Sequence, residues 1–281
     1  MRDFTDRWGR VMDGMKTRRH AGARIWTPLC AAVLAVLCQT GPAAADATLA
    51  AYINKAGAQR MLSQRIVLAY CKVGLGILPA DSQRQLDSAV ERFDRQLAEL
   101  KSYTPTPEIR EALDTVERVW SPFKATARQS VTRDGARRLW IWDEDLLYAS
   151  HKVVRLLQDL SDQRSARLVN IAGRQRMLSQ RMAKLYMLRE WGFNTLTLQD
   201  DIEAARNEFD GALRTLQDAP ENTPEIGKAL DGIALQWTWF RNALDLVGEE
   251  PYRLVVADSS QSILAGMDEV TGMYEELSGV P

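Results

Sequence analysis

Cysteine and histidine are scarce in this chain of 281 residues, with three and two copies respectively. Two of the cysteines, Cys30 and Cys38, and one histidine fall within the first 45 residues. Cys71 is left alone, which excludes an internal disulfide. His151 is left alone as well; it lies on a polar part of a predicted helix and reads as a solvated residue rather than a base or ligand. No glycine-rich phosphate loop, nucleophile elbow or paired metal motif is found, so no enzyme, metal site or cofactor is expected. Charge of one sign is also missing. With 36 basic and 37 acidic residues the chain has no basic field for nucleic acid. Beyond the N-terminus no stretch approaches the roughly 18 uncharged apolar residues of a membrane span.

The N-terminus has a composition of its own. Lys16, Arg18, Arg19 and Arg24 precede the apolar run IWTPLCAAVLAVLC, and Ala43-Ala44-Ala45 resembles a small-residue cleavage site. Residues 1–45 are therefore expected to be a signal peptide, with an uncleaved anchor as the alternative. The leader holds seven of the basic and three of the acidic residues, so the remainder carries 29 against 34, a net charge of −5.

What the chain does have is a repeat. INKAGAQRMLSQRIVLAYCKVGLG (53–76) aligns with VNIAGRQRMLSQRMAKLYMLREWG (169–192), with 12 of 24 positions identical. The register continues through Phe93-Asp94 with Phe209-Asp210. After a one-residue insertion it runs from Thr106 with Thr223 and Trp120 with Trp237 to Leu160-Ser161 with Leu277-Ser278. Two copies, residues 48–162 and 164–279, account for nearly everything after the leader. Strand patterns are lacking, and turn residues recur at GILPADS, YTPTPE, VTRDG, WGFNT, APENTPE and GEEP. Each copy thus reads as four helices, and Thr106-Pro107-Glu108 and Thr223-Pro224-Glu225 as helix starts. The expected fold class is all-α: two tandem four-helix bundles. No proline and only Gly173 occur between Leu139 and Glu190. This predicts a long continuous helix joining the bundles end to end, whereas a break near Ser161 or Gly173 would let them fold back side by side.

At 100° per residue the first helix has two buried-type stripes. Leu62, Ile66, Ala69 and Val73 lie on one; Ile53, Gly57, Arg60, Gln64, Val67 and Cys71 on the other. The second copy repeats the latter with Val169, Gly173, Arg176, Gln180, Ala183 and Met187. Arg60 and Arg176 sit at the centre of stripes suited to close helix contact, with Gly57 and Gly173 permitting the approach. A buried guanidinium requires an anion. Two of them apposed about a two-fold axis would hold a planar oxyanion such as nitrate, nitrite, bicarbonate or a small carboxylate. Gln64 and Gln180 could donate to such a ligand or pad the interface. Arg65 and Arg181 could be second contacts or solvated. The competing reading pairs Arg60 and Arg176 with acids of their own bundles, Asp94 and Asp210. The acidic run Asp143-Glu144-Asp145 reads as a helix start, and Trp120, Trp140, Trp142, Trp237 and Trp239 as core or interface residues.

INKAGAQRMLSQR and VNIAGRQRMLSQRMAKLY resemble the opening helix of the PilJ-type sensory domain, the N-terminal domain of type IV pili methyl-accepting chemotaxis transducers, which is related to periplasmic sensors of nitrate/nitrite kinases. The resemblance implies a periplasmic four-helix bundle that binds nitrate or nitrite between the first helices of two protomers, through the arginine matched by Arg60 and Arg176. The family's lysine is matched by Lys55 in copy one, but copy two has Ile171. End-to-end bundles would require a homodimer for such a site. With no kinase or methyl-accepting segment after Pro281, output is expected through a membrane-bound signalling partner. The alternative is a ligand-free envelope adaptor that docks its arginine-bearing face onto another protein.

Overall fold

The computed structural model describes residues 42–161, 164–195, 197–246, 248 and 250–277. The expected leader lies outside these residues except for its last four, which open the first helix. The described residues contain helices and no strands: α1 Pro42–Gly74, α2 Pro79–Lys101, α3 Pro107–Ala127 and α4 Arg133–Gln158 in copy one, then α5 Arg164–Glu190, α6 Leu198–Gln217, α7 Pro224–Ala243 and α8 Glu250–Leu277 in copy two. None is long and apolar enough to cross a membrane. Within each copy, consecutive helices pack on one another and the fourth closes back on the first, giving two four-helix bundles.

Local chemistry sets the boundaries. Thr106 and Thr223 cap α3 and α7, each accepting a hydrogen bond at 3.3 Å from the backbone N–H of the residue three on, Ile109 or Ile226. Proline then occupies the first turn, where its missing N–H is not needed. Gly76 and Gly192, at matched places after α1 and α5, adopt left-handed φ of 72° and 80°, which glycine reaches without penalty. Each core has the same aromatic pair. Phe93 stacks on Trp120 at 3.9 Å and Phe209 on Trp237 at 4.2 Å. Each indole N–H donates to an acid on the preceding helix, Asp94 or Asp210, at 2.7 Å. Such pairs contribute about 1 kcal/mol each beyond the area they bury. Trp239, in contrast with the core expectation, is 62% exposed.

The joint between the copies differs from the expected continuous helix. The α4 helix ends at Gln158; the N–H groups of Leu160 and Ser161 tighten onto the carbonyls of Leu157 and Gln158 at 3.2 and 3.0 Å, and a new helix starts at Arg164. No breaker residue dictates this. A straight rod would leave the second stripes of α1 and α5 in water. Folding back buries Ile53, Val67 and Cys71 together with Val169, Ala183 and Met187, and that gain exceeds the few hydrogen bonds of an unbroken helix. The two helices run side by side and parallel: Asn54 meets Arg176, Arg60 meets Asn170, Arg65 meets Gln180, and Gly74 lies against the Trp191 ring. A pseudo-two-fold axis therefore runs between α1 and α5 within one chain.

Candidate functional site

The duplicated motif performs mostly structural work. Gln59 and Gln175 donate to the carbonyls of Phe93 and Phe209, at 3.2 and 2.8 Å, tying each first helix to the second. Ser63 and Ser179 donate to the carbonyls of Arg60 and Arg176, and the Met and Leu residues fill the cores. The arginines between them are different.

Arg60 and Arg176 are the two largest fully buried side chains, and they meet across the pseudo-two-fold axis. A Cβ placed on Gly57 would lie 3.4 Å from Nη2 of Arg60 and 3.8 Å from Nη2 of Arg176. On Gly173 it would lie 3.2 Å from Nη2 of Arg176 and 3.8 Å from Nη2 of Arg60. The two glycines thus let both guanidiniums lie close against the backbones of α1 and α5. Arg60 donates from Nη2 to Asn170 Oδ1 at 2.9 Å, and its Nη1 lies 3.2 Å from His151 Nδ1. Arginine can only donate, so Nδ1 accepts and the imidazole is neutral. Asn170 in turn donates to Gln158 at 2.6 Å. Arg176 repeats this network with different chemistry. It donates from Nη2 to Asn54 Oδ1 at 2.6 Å, ion-pairs through Nη1 with Asp268, and Asn54 donates to Glu275. In the repeat's register Asp268 corresponds to His151, and Glu275 to Gln158. Both guanidinium Nε atoms are buried without a partner.

Electrostatics follows the asymmetry. Burial, with Arg174 and Arg176 nearby, pulls the Arg60 guanidinium down to about 9, so it stays charged at neutral pH. Its polar contacts among the described residues, Asn170 and His151, carry no negative charge; the acid that partly offsets its shift, Glu208, pairs with Arg174. Burial and then Arg60, Arg174 and Arg155 press His151 down to about 3. Burial also lowers Arg176, but there Asp268 opposes it.

Further along α1 and α5 the second polar layer lies between the bundles. Asp143, on α4, and Lys184, on α5, form a fully buried ion pair, and Gln64 donates to Asp143 at 2.6 Å. Arg181 pairs with Glu144 at 2.7 Å, whereas Arg65 reaches only the amide oxygens of Gln261 at 2.7 Å and Gln180 at 3.4 Å. Gln180 donates to the Ser260 carbonyl at 3.0 Å. Burial raises the Asp143 carboxyl above its ordinary range despite Lys184; for Glu144, burial is outweighed by Arg181 and Lys184 and the carboxyl is lowered.

Several expectations change. Asp94 and Asp210 serve the tryptophans and do not reach Arg60 or Arg176, yet Arg176 does pair with an acid of its own bundle, Asp268. His151 is held at the site by Arg60 rather than solvated. Asp143 lies in the middle of α4, buried, rather than at a helix start. Gln64, Gln180, Arg65 and Arg181 belong to the second layer rather than beside the arginine pair. Lys55 pairs with Glu99 at 2.5 Å on the outer side of α1. The arginine-bearing face, expected to meet a second chain or an adaptor's partner, is covered by the chain's own other copy.

A parallel pair of sensor-type helices, each opening a four-helix bundle, defines a duplicated helical module built around one central charged pair. Residues 46–139 and 161–263 match the family model of the type IV pili methyl-accepting chemotaxis transducer N-terminal domain, PilJ. The chain belongs to that family, whose domains are the sensory rather than enzymatic part of chemotaxis transducers. Comparison with curated proteins and with solved structures returned no match. His151, Gln158, Asp268 and Glu275 all lie beyond the matched segments. The signal that could have found them is the self-alignment continued through α4 and α8, where aligned positions change charge between copies.

Proposed function

We propose that the chain is a sensory module that binds one small oxyanion, nitrate or nitrite in the first instance, between Arg60 and Arg176 within a single chain. The observation that carries this reading is the Arg60 guanidinium: fully buried, opposite a second guanidinium, and contacting only neutral groups. A buried charge without a counter-ion costs several kcal/mol, and an anion held between the two guanidiniums beside Gly57 and Gly173 would recover much of it. Two planar donor forks suit a planar acceptor. Because both arginines come from one chain, a homodimer is not needed to complete the site. The leader-like N-terminus and the family's typical periplasmic placement support an exported setting, and a separate membrane-bound partner would carry the signal onward.

A thermal-shift titration tests the reading. Nitrate or nitrite should raise the unfolding temperature of the purified chain above a chloride control at equal ionic strength, with the logarithmic dependence of mass action. Arg60→Gln and Arg176→Gln should each abolish the rise. A wild-type chain indifferent to nitrate, nitrite, bicarbonate and formate at tens of millimolar would refute it.

A further inference from the structure

Each arginine sits in a network of the same four places: an arginine on one first helix, an asparagine on the other, and two residues from the fourth helix of the arginine's own bundle. The Arg60 network reads Asn170, His151 and Gln158; the Arg176 network reads Asn54, Asp268 and Glu275. The backbone places and the asparagines are shared. Both carboxylates occur in one copy, and both neutral residues in the other.

We infer that the duplication has divided the site into a half at Arg176 that carries its own counter-ions and a half at Arg60 that the uncharged His151 and Gln158 leave for a ligand to neutralise. This rests on the reading of the arginine pair as an anion site and specifies the ligand's charge. Asp268 and Glu275 already place two negative charges around Arg176. An incoming monoanion supplies the one charge that Arg60 lacks. A dianion would add a surplus negative charge in a buried region next to two carboxylates, which low local polarity makes costly. The site therefore selects singly charged oxyanions over sulfate or hydrogen phosphate. His151 and Gln158 are specificity-determining positions, acting by being uncharged. Asp268 and Glu275 set the charge limit.

The experiment exchanges the residues between copies in the full chain. Sodium nitrate and sodium sulfate serve as probes, thermal unfolding and calorimetric titration as readouts, and circular dichroism as the check on folding. His151→Asp should raise the unfolding temperature without ligand, because it gives Arg60 the counter-ion that Arg176 has, and should weaken nitrate binding at least tenfold. Gln158→Glu, at a half-buried place that tolerates change, should act in the same direction if His151→Asp fails to fold. Asp268→Asn with Glu275→Gln should retain nitrate binding and admit sulfate, which the wild type refuses. Nitrate affinity unchanged in both His151→Asp and Gln158→Glu, or sulfate binding as tight as nitrate in the wild type, would overturn the inference. If the wild type binds neither anion while His151→Asp still stabilises the empty chain, the charge asymmetry stands and the anion-sensing reading fails.

Discussion

The interface between α1 and α5 contains two polar layers that handle buried charge in opposite ways. In the layer around Asp143 and Lys184, the ion pairs join acids of copy one to bases of copy two, and Asp143 and Lys184 each have an opposite partner, while Arg65 at the edge of the layer reaches amide oxygens. In the layer around Arg60 and Arg176, the acids come from copy two; Asp268 pairs with the arginine of that copy, and Glu275 holds the asparagine that the same arginine contacts. Duplication begins with two identical halves. The first layer has diverged to join the halves to each other, and the second has diverged until one half lacks what the other has. The contrast separates a structural use of charge from a receptive one.

The largest effect should come from breaking the satisfied layer. Lys184→Met strands the fully buried Asp143 carboxylate and should cost about 3–5 kcal/mol in chemical denaturation, Asp143→Ala should cost less because Glu144 stays 3.6 Å from the Lys184 ammonium, and Asp143→Leu with Lys184→Met should recover most of the larger loss. Equal losses in the single and double variants would show that the pair does more than cancel itself.

Acid should act next, and on the other layer. His151 is held near 3 when folded against 6.5 for a free imidazole, so the unfolded chain binds the proton that the folded chain rejects. The stability this neutral ring provides is complete above about pH 6.5 and is lost as pH falls towards 3. The loss should be at most about 1.4 kcal/mol per pH unit. His151→Gln should remove that share of the slope between pH 6.5 and 4, and a slope identical to wild type would show that the ring does not matter. A bound anion should reduce the slope, since it offsets part of the Arg60 charge that disfavours imidazolium.

A smaller difference separates the arginines themselves in the absence of ligand. Arg176→Gln deprives Asp268 of its partner and should cost about 1–2 kcal/mol, discounted because Asp268 is 40% exposed. Arg60→Gln removes a charge that had no counter-ion, so the relief offsets the lost packing and hydrogen bonds, and stability should stay within about 1 kcal/mol of wild type or rise. The reverse ranking would contradict the asymmetry. The smallest effect concerns the glycines. Gly173→Ala gains up to about 1 kcal/mol of helix propensity but sets a methyl group 3.2 Å from Nη2 of Arg176. Stability should change little while nitrate affinity falls.

Much of this architecture was legible in the sequence because duplication prints its evidence twice. The four helices per copy followed from turn residues and threonine caps. The double stripe on α1 gave the arginine contact, since small residues around a central arginine recur with the helical period. The joint between α4 and α5 was not legible. Local propensity favours continuation there, and the break is decided by apolar area on α1 and α5 that no local window contains. The site's asymmetry was missed for a related reason. His151 and Asp268 reach the arginines from α4 and α8, some ninety positions away, Gln158 and Glu275 reach the asparagines beside them, and each looks like an ordinary polar residue on its own helix. Asp143 was misread in the same way: a run of three acids suggests a helix start until Lys184 is brought against it from the other copy.

The central claim is that the arginine pair forms one anion site inside a single chain. Calorimetric titration of the wild-type chain with sodium nitrate, on material whose mass in solution has been measured, addresses it directly. The account predicts one nitrate bound per monomeric chain, and none after Arg60→Gln. Half a nitrate per chain in a dimer, or no binding at any accessible concentration, would contradict it.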